Sequence, residues 1–207
     1  MLQYQTIEPA TLELLKHLLQ KEIFKDLRLV GGTALALQYG HRKSIDIDLF
    51  GSFEADEFTM TAELRTIGEV TVLKKTPRIY IYSVSGVKVD IVNYPYPWIE
   101  ELIKQDELRL AHAKDIGAMK LAAITGRGTK KDFFDLYFLL EQYSLAELLH
   151  FYDQKYPDGS EFLVLKSLIY FEDAESDPDP VMLIPVSWSK VKKRVVQIHA
   201  AYLKSLK

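Results

Sequence analysis

Gly31–Phe50 reads GGTALALQYGHRKSIDIDLF, and the fold turns on this stretch. A glycine pair, a short alanine-rich run, a basic turn and an alternating segment follow one another directly. TALALQYG is too short and alanine-rich for a strand and reads as a helix, with Gly40 as its C-terminal cap. SIDIDLF alternates with the period of a strand. Ile45, Ile47 and Leu49 are therefore expected to face a core, and Ser44, Asp46 and Asp48 the opposite side together. Two such carboxylates repel. A metal ion or a lysine between them would relieve this, and on a solvated face nothing need stand there.

Working outward, LRLVGG upstream reads as a short buried strand ending on glycines, preceded by a helix from about Pro9 to Glu22 with leucines at helical spacing. Downstream, EADEFTMTAELRTIG reads as a helix. EVTVLKKTPRIYIYSVSGVKVDIVNYP contains three strands, the last two joined by a hairpin turn holding Gly86. The first hundred residues thus read α-β-α-β-α-β-β-β, a mixed sheet with helices of the α+β or α/β class. After Tyr96 the pattern becomes helical: ELRLAHAKDIGAMKLAAITGR, KKDFFDLYFLLEQY, LAELLHFYDQKY and EFLVLKSLIYFEDA are each expected to form one helix. The acidic loop ESDPDPVMLIP follows, then a last helix from SWSKVKKRVV onward with a serine as N-cap. The expected division is residues 1–100 as a catalytic domain and 101–207 as a helical domain packed against it.

The chain of 207 residues is long enough to bury a sizeable core, and 48% apolar with 27% charged residues is ordinary globular composition. A net charge of −3 lacks the overall basic footprint of a general nucleic-acid binder, although a local patch remains open. The absence of cysteine excludes disulfides and thiolate metal sites, and five histidines show no ligand spacing. No apolar run reaches membrane-spanning length and the N-terminus lacks signal-peptide character, so a cytoplasmic location with no membrane partner is expected.

A third acid strengthens the aspartate pair. VKVDIV alternates like SIDIDLF, with Asp90 on the polar face. On a neighbouring strand, Asp90 would join Asp46 and Asp48 as an all-oxygen donor set suited to a hard cation, magnesium first and manganese second. Three such carboxylates can hold two ions roughly 3.5–4 Å apart for in-line phosphoryl displacement. Gly31 and Gly32 let the backbone approach a ligand, and the helix they open offers N–H groups to phosphate oxygens. Thr33 and Ser44 could add hydrogen bonds, and His41–Lys43, with Arg42 at its centre, brings positive charge beside the acids. Alone, an Asp-x-Asp on an alternating strand is most often a solvated face; the ordered combination favours function.

In the second half, Lys120, Ile124 and Arg127 share one helix face, and a lysine with an arginine suits a triphosphate. Asp132 and Asp135 share a face of the next helix. Lys131 could pair with Asp135 on the surface, and Phe133, Phe134, Tyr137 and Phe138 read as core.

The glycine pair, the Asp-x-Asp strand and the later apolar-Asp-apolar strand together resemble the DNA polymerase β-type nucleotidyltransferases. Within them, GGTALALQYGHRKSIDIDLF is similar to the AbiEii/AbiGii toxin family, and AMKLAAITGRGTKKDFFDLYFLL fits that family's lysine and aspartate motifs. The resemblance spans Leu29–Leu140. It implies a nucleotidyltransferase fold followed by a helical bundle, and a metal-dependent enzyme that moves a nucleoside monophosphate from a nucleoside triphosphate to an acceptor hydroxyl. It implies Asp46, Asp48 and Asp90 as catalytic metal ligands, Lys120 as the functional lysine and either Asp132 or Asp135 as the later acid, with Asp135 preferred. Gly31, Gly32, Thr33, Ser44, Arg42 and Arg127 are the accompanying nucleotide-binding candidates. An RNA such as tRNA as acceptor and a cognate antitoxin as partner follow from the same resemblance. The basic residues of the last helix, Lys190, Lys192, Lys193, Arg194, Lys204 and Lys207, are the expected RNA-facing patch. Two other readings stand beside it: a silent nucleotide- or partner-binding member of the fold, and a glycosyltransferase whose Asp-x-Asp holds a nucleotide-sugar metal.

Overall fold

In a computed structural model describing residues 1–206, the chain forms two compact units. The first comprises Met1–Tyr96 and Glu101–His112, the second Pro97–Glu100 and Ala113 onward. The chain therefore crosses between units three times, around the division expected at residue 100.

The first unit opens with α1 (Pro9–Gln20), whose proline starts the helix and whose Leu14, Leu15, Leu18 and Leu19 are buried. β1 (Leu27–Leu29), α2 (Gly31–Tyr39), β2 (Ile47–Gly51), α3 (Glu57–Arg65), β3 (Val70–Lys75), β4 (Ile79–Val84) and β5 (Val87–Asn93) follow in the order read from the sequence. α2 ends on Gly40 at φ +71°, the left-handed conformation that favours glycine. Two further strands were not expected: β6 (Ile103–Gln105) and β7 (Leu108–Leu110). The seven strands form one mixed sheet in the order β3-β4-β5-β2-β1-β7-β6. Its centre pairs β2 with β5 in parallel and β2 with β1 antiparallel.

The long helix expected from Glu107 is corrected here: Leu108–Leu110 pairs with β1 and the helix begins only at Ala113. Arg109 explains why this short strand holds. Its guanidinium donates to the carbonyls of Leu19, Phe24 and Leu27 at 2.8–3.1 Å. It thereby satisfies oxygens where α1 ends and β1 begins.

The second unit is helical: α4 (Ala113–Gly126), α5 (Lys130–Leu139), α6 (Leu145–Lys155), α7 (Glu161–Leu168), α8 (Glu172–Glu175) and α9 (Trp188–Ser205). The segment EFLVLKSLIYFEDA, expected as one helix, is two, broken at Ile169–Phe171. α6 starts with a reciprocal capping box between Ser144 and Glu147, and Ser187 caps α9. Phe133, Phe134, Tyr137 and Phe138 are buried as expected. Trp188 stacks on Phe134 and meets Phe133 edge-on, each at 5.8 Å, which seats α9 on α5.

Candidate functional site

β2 and β5 carry the first group of candidate residues. Their parallel register pairs Ile47 with Val89, Asp48 with Asp90 and Leu49 with Ile91. Ile47, Leu49, Val89 and Ile91 are fully buried on the core face, so Asp48 and Asp90 stand side by side on the other. Asp46 lies two residues before Asp48, in the irregular segment that leads into β2. Ile45 is corrected: it is 65% exposed and belongs to no core face, because the strand begins at Ile47.

Gly31 brings the glycine pair onto this sheet face. It has φ +67°, and a Cβ built on it would lie 2.3 Å from Asp48 Oδ2 and 3.1 Å from its Cγ. Only glycine combines that dihedral with that approach. Val30 N–H donates to the Asp48 carbonyl at 2.9 Å, tying the start of α2 to the same residue. Gly32 occupies the first turn of α2, where backbone N–H groups have no intrahelical acceptor.

Thr33 is placed differently from a ligand-facing hydroxyl, and half-buried Ser44 lies against it. Thr33 is fully buried; its hydroxyl donates to the Asp46 carbonyl and lies 2.8 Å from the Ser44 hydroxyl. The pair pins the approach to β2 against α2. Arg42 is also buried, with Nη1 donating to the Lys43 carbonyl at 2.9 Å.

Lys88 had not been singled out. It lies on β5 two residues before Asp90, hence on the same face, and its Nζ is 2.6 Å from Asp90 Oδ1. The i, i+2 spacing in VKVD was the available signal.

The residues fit a divalent cation by donor chemistry: the candidate donors are all carboxylate oxygens, and two of them are in register. Among the described residues, however, no three His, Asp or Glu side chains are gathered into a ready-made metal cage. Asp46 would have to be drawn in to complete one.

In the second unit the structure joins Lys120, Asp132 and Asp135. The Lys120 ammonium is 2.9 Å from Asp132 Oδ1 and 2.6 Å from Asp135 Oδ2, with all three side chains buried. Thr129 donates its hydroxyl to Asp132 Oδ2 at 2.6 Å, and Arg127, largely exposed, approaches the same oxygen at 3.4 Å. Burial, the largest single influence on the Asp132 carboxyl, pushes it up. The Lys120 charge, the Thr129 hydrogen bond and Arg127 outweigh it and leave the carboxyl below its ordinary 3.8. A carboxyl depressed in the folded state contributes stability above its unfolded value and loses it as pH falls through the folded one. Unfolding free energy is therefore expected to drop on acidification below about pH 4. Asp132→Asn should flatten that acid limb in denaturant titrations; an unchanged slope would contradict the coupling.

On α9, Lys190, Lys193, Arg194 and Lys204 are exposed and Lys192 pairs with Glu175; Lys207 lies outside the described residues. Among the described residues, no helix is long and apolar enough to cross a membrane.

Comparison with known proteins gives a consistent set. Residues 13–201 match the family model described as "Nucleotidyl transferase AbiEii toxin, Type IV TA system". The chain is 37% identical over 171 residues to "Uncharacterized protein aq_aa25" of Aquifex aeolicus (strain VF5), covering 80% of this chain and 83% of that one. Among solved structures, JHP933 from Helicobacter pylori matches with a TM-score of 0.55 at 19% identity, covering 96% of both chains. The antibiotic-resistance factor ANT(2'')-Ia matches with a TM-score of 0.55 at 13% identity, covering 69% of this chain and 88% of that one. These two likenesses are of fold.

Proposed function

The chain belongs to the AbiEii nucleotidyl transferase toxin family, and from that premise we propose that it transfers a nucleoside monophosphate from a nucleoside triphosphate to an acceptor hydroxyl, with RNA, tRNA in particular, as the favoured acceptor. The observation that carries the reading is the packing of Gly31 on Asp48, itself in register with Asp90. It joins a close backbone approach, a helix start and two carboxylates on one sheet face.

In the proposed reaction the acceptor oxygen bonds to the α-phosphorus, the bond from that phosphorus to the bridging oxygen breaks, and pyrophosphate leaves with the electron pair. Asp90 stands on the acceptor side as the base for the hydroxyl proton. The first turn of α2, at Gly31 and Gly32, receives phosphate oxygens through backbone N–H groups. Thr33 and Ser44 act indirectly, holding Asp46 and the entry to β2 in place. Magnesium or manganese, held by Asp46, Asp48 and Asp90, would neutralise phosphate charge and lower the pKa of the acceptor hydroxyl. Of the two cations proposed for the triphosphate, Arg127 is largely exposed, whereas Lys120 is buried between two acids. Asp132 and Asp135 both hold the Lys120 ammonium, which supports a shared positioning role for the two acids. The basic face of α9 is the proposed acceptor surface, and a cognate antitoxin the proposed regulatory partner in the cytoplasm.

Nucleoside triphosphate with magnesium is expected to raise the melting temperature of the wild type by a few degrees, and Asp46→Asn should lose that shift. Stabilisation without turnover on a wide acceptor panel would instead favour a silent binder. Stabilisation by sugar nucleotides alone would favour a glycosyltransferase.

A further inference from the structure

Asp48 and Asp90 stand side by side on one face of β2 and β5, and Lys88 shares that face. Ile47 pairs with Val89 and Asp48 with Asp90. The Lys88 ammonium is 2.6 Å from Asp90 Oδ1. Lys88 is 44% exposed at its side chain and Asp90 19%, so the lysine can leave toward solvent while the carboxylate stays on the sheet.

We infer that Lys88 is the built-in counter-cation of the carboxylate face. It neutralises Asp90 and competes with a divalent ion for that oxygen, so that the ion binds fully only as Lys88 is displaced. An ammonium and a divalent cation at the same carboxylate repel each other. Lys88 therefore lowers affinity for metal alone and couples metal loading to the arrival of a triphosphate. The phosphates bring negative charge for the released ammonium. This rests on the carboxylate-metal reading above. Lys88 is a positioning residue, acting through Asp90.

The test is binding of Mn2+ alone to the full chain, followed by electron paramagnetic resonance, for wild type, Lys88→Met, Lys88→Arg and Asp48→Asn/Asp90→Asn. Methionine keeps an unbranched stem and removes the charge, whereas arginine keeps the charge. Lys88→Met is expected to bind Mn2+ about three- to tenfold more tightly than wild type, and Lys88→Arg to match wild type. With nucleoside triphosphate present, the difference between Lys88→Met and wild type should narrow. Thermal melts confirm that each variant is folded, since a pair this exposed contributes little stability. Mn2+ binding by the wild type that is unchanged or weaker in Lys88→Met overturns the counter-cation role and leaves the metal site standing. Absence of binding in wild type and Lys88→Met alike, or binding that survives Asp48→Asn/Asp90→Asn, overturns the metal reading together with it.

Discussion

Gly31→Ala is expected to cut nucleotidyl transfer by about 10²-fold, the scale of a displacement of roughly 1 Å at a reacting centre. The added Cβ would sit 2.3 Å from Asp48 Oδ2. Asp48 is too short to yield by moving only its tip: its Cγ and Cβ lie 3.1 and 3.4 Å away from the same point. The carboxylate must rotate off the sheet face, or the start of α2 must lift. The φ of +67° adds strain for any residue with a side chain, about 1–2 kcal/mol. The variant should therefore unfold at lower denaturant as well as lose activity. Gly126→Ala is the matched control, since a Cβ there meets nothing within 4 Å; it should be neutral or slightly stabilising. Full transfer by Gly31→Ala would show that the glycine is not holding Asp48 in its working position.

The largest stability effect should come from Lys155→Met, with a loss of about 3–5 kcal/mol. Lys155 and Asp115 are both fully buried and meet at 2.7 Å. Lys155 also donates to the Pro97 carbonyl at 2.8 Å and sits over the Trp98 ring at 4.4 Å. Asp115 accepts from the N–H groups of Ile99 and Glu100 at 2.9 and 3.1 Å. The pair thus clamps Pro97–Glu100 to α4 and α6 of the second unit. Removing the lysine strands a buried carboxylate and a carbonyl; removing the acid would strand an ammonium and two N–H groups. Lys155→Met/Asp115→Leu should recover only part of the loss, because those backbone groups remain unpaired. Equilibrium denaturation measures all three. A loss below about 1 kcal/mol for Lys155→Met would mean that water reaches the pair and solvates it.

Much of this was legible where the pattern was long. The order of helices and strands through Asn93 follows from periodicity, and the alternation of IDIDL and KVDIV placed Asp48 and Asp90 on the polar sides of their strands. β6 and β7 were not legible, because three residues cannot display a period and their turn has Asp106 and Glu107 at positive φ where glycine would have signalled it. One sign was present: LRL occurs at 27–29 and 108–110, and these two segments are neighbours in the sheet. Ile45 was misplaced because the alternation continues in sequence past the point where the strand ends, the segment before Ile47 being held instead by Thr33. Lys155 reads as an ordinary cation near a helix end. Nothing local reveals that its partner lies forty residues away. Lys120 illustrates the same limit: helical spacing put it on a face with Arg127, but its two acids come from the next helix.

The most direct measurement is transfer of label from each of the four nucleoside triphosphates, with magnesium or manganese, into total bacterial RNA by wild type and Asp46→Asn/Asp48→Asn. The expected result is label entering RNA from one or more nucleotides with the wild type alone, releasing pyrophosphate in equal amount. Equal labelling by the double variant would contradict the assignment of the reaction to the face shared by β2 and β5. No labelling of RNA by the wild type would contradict RNA as the acceptor.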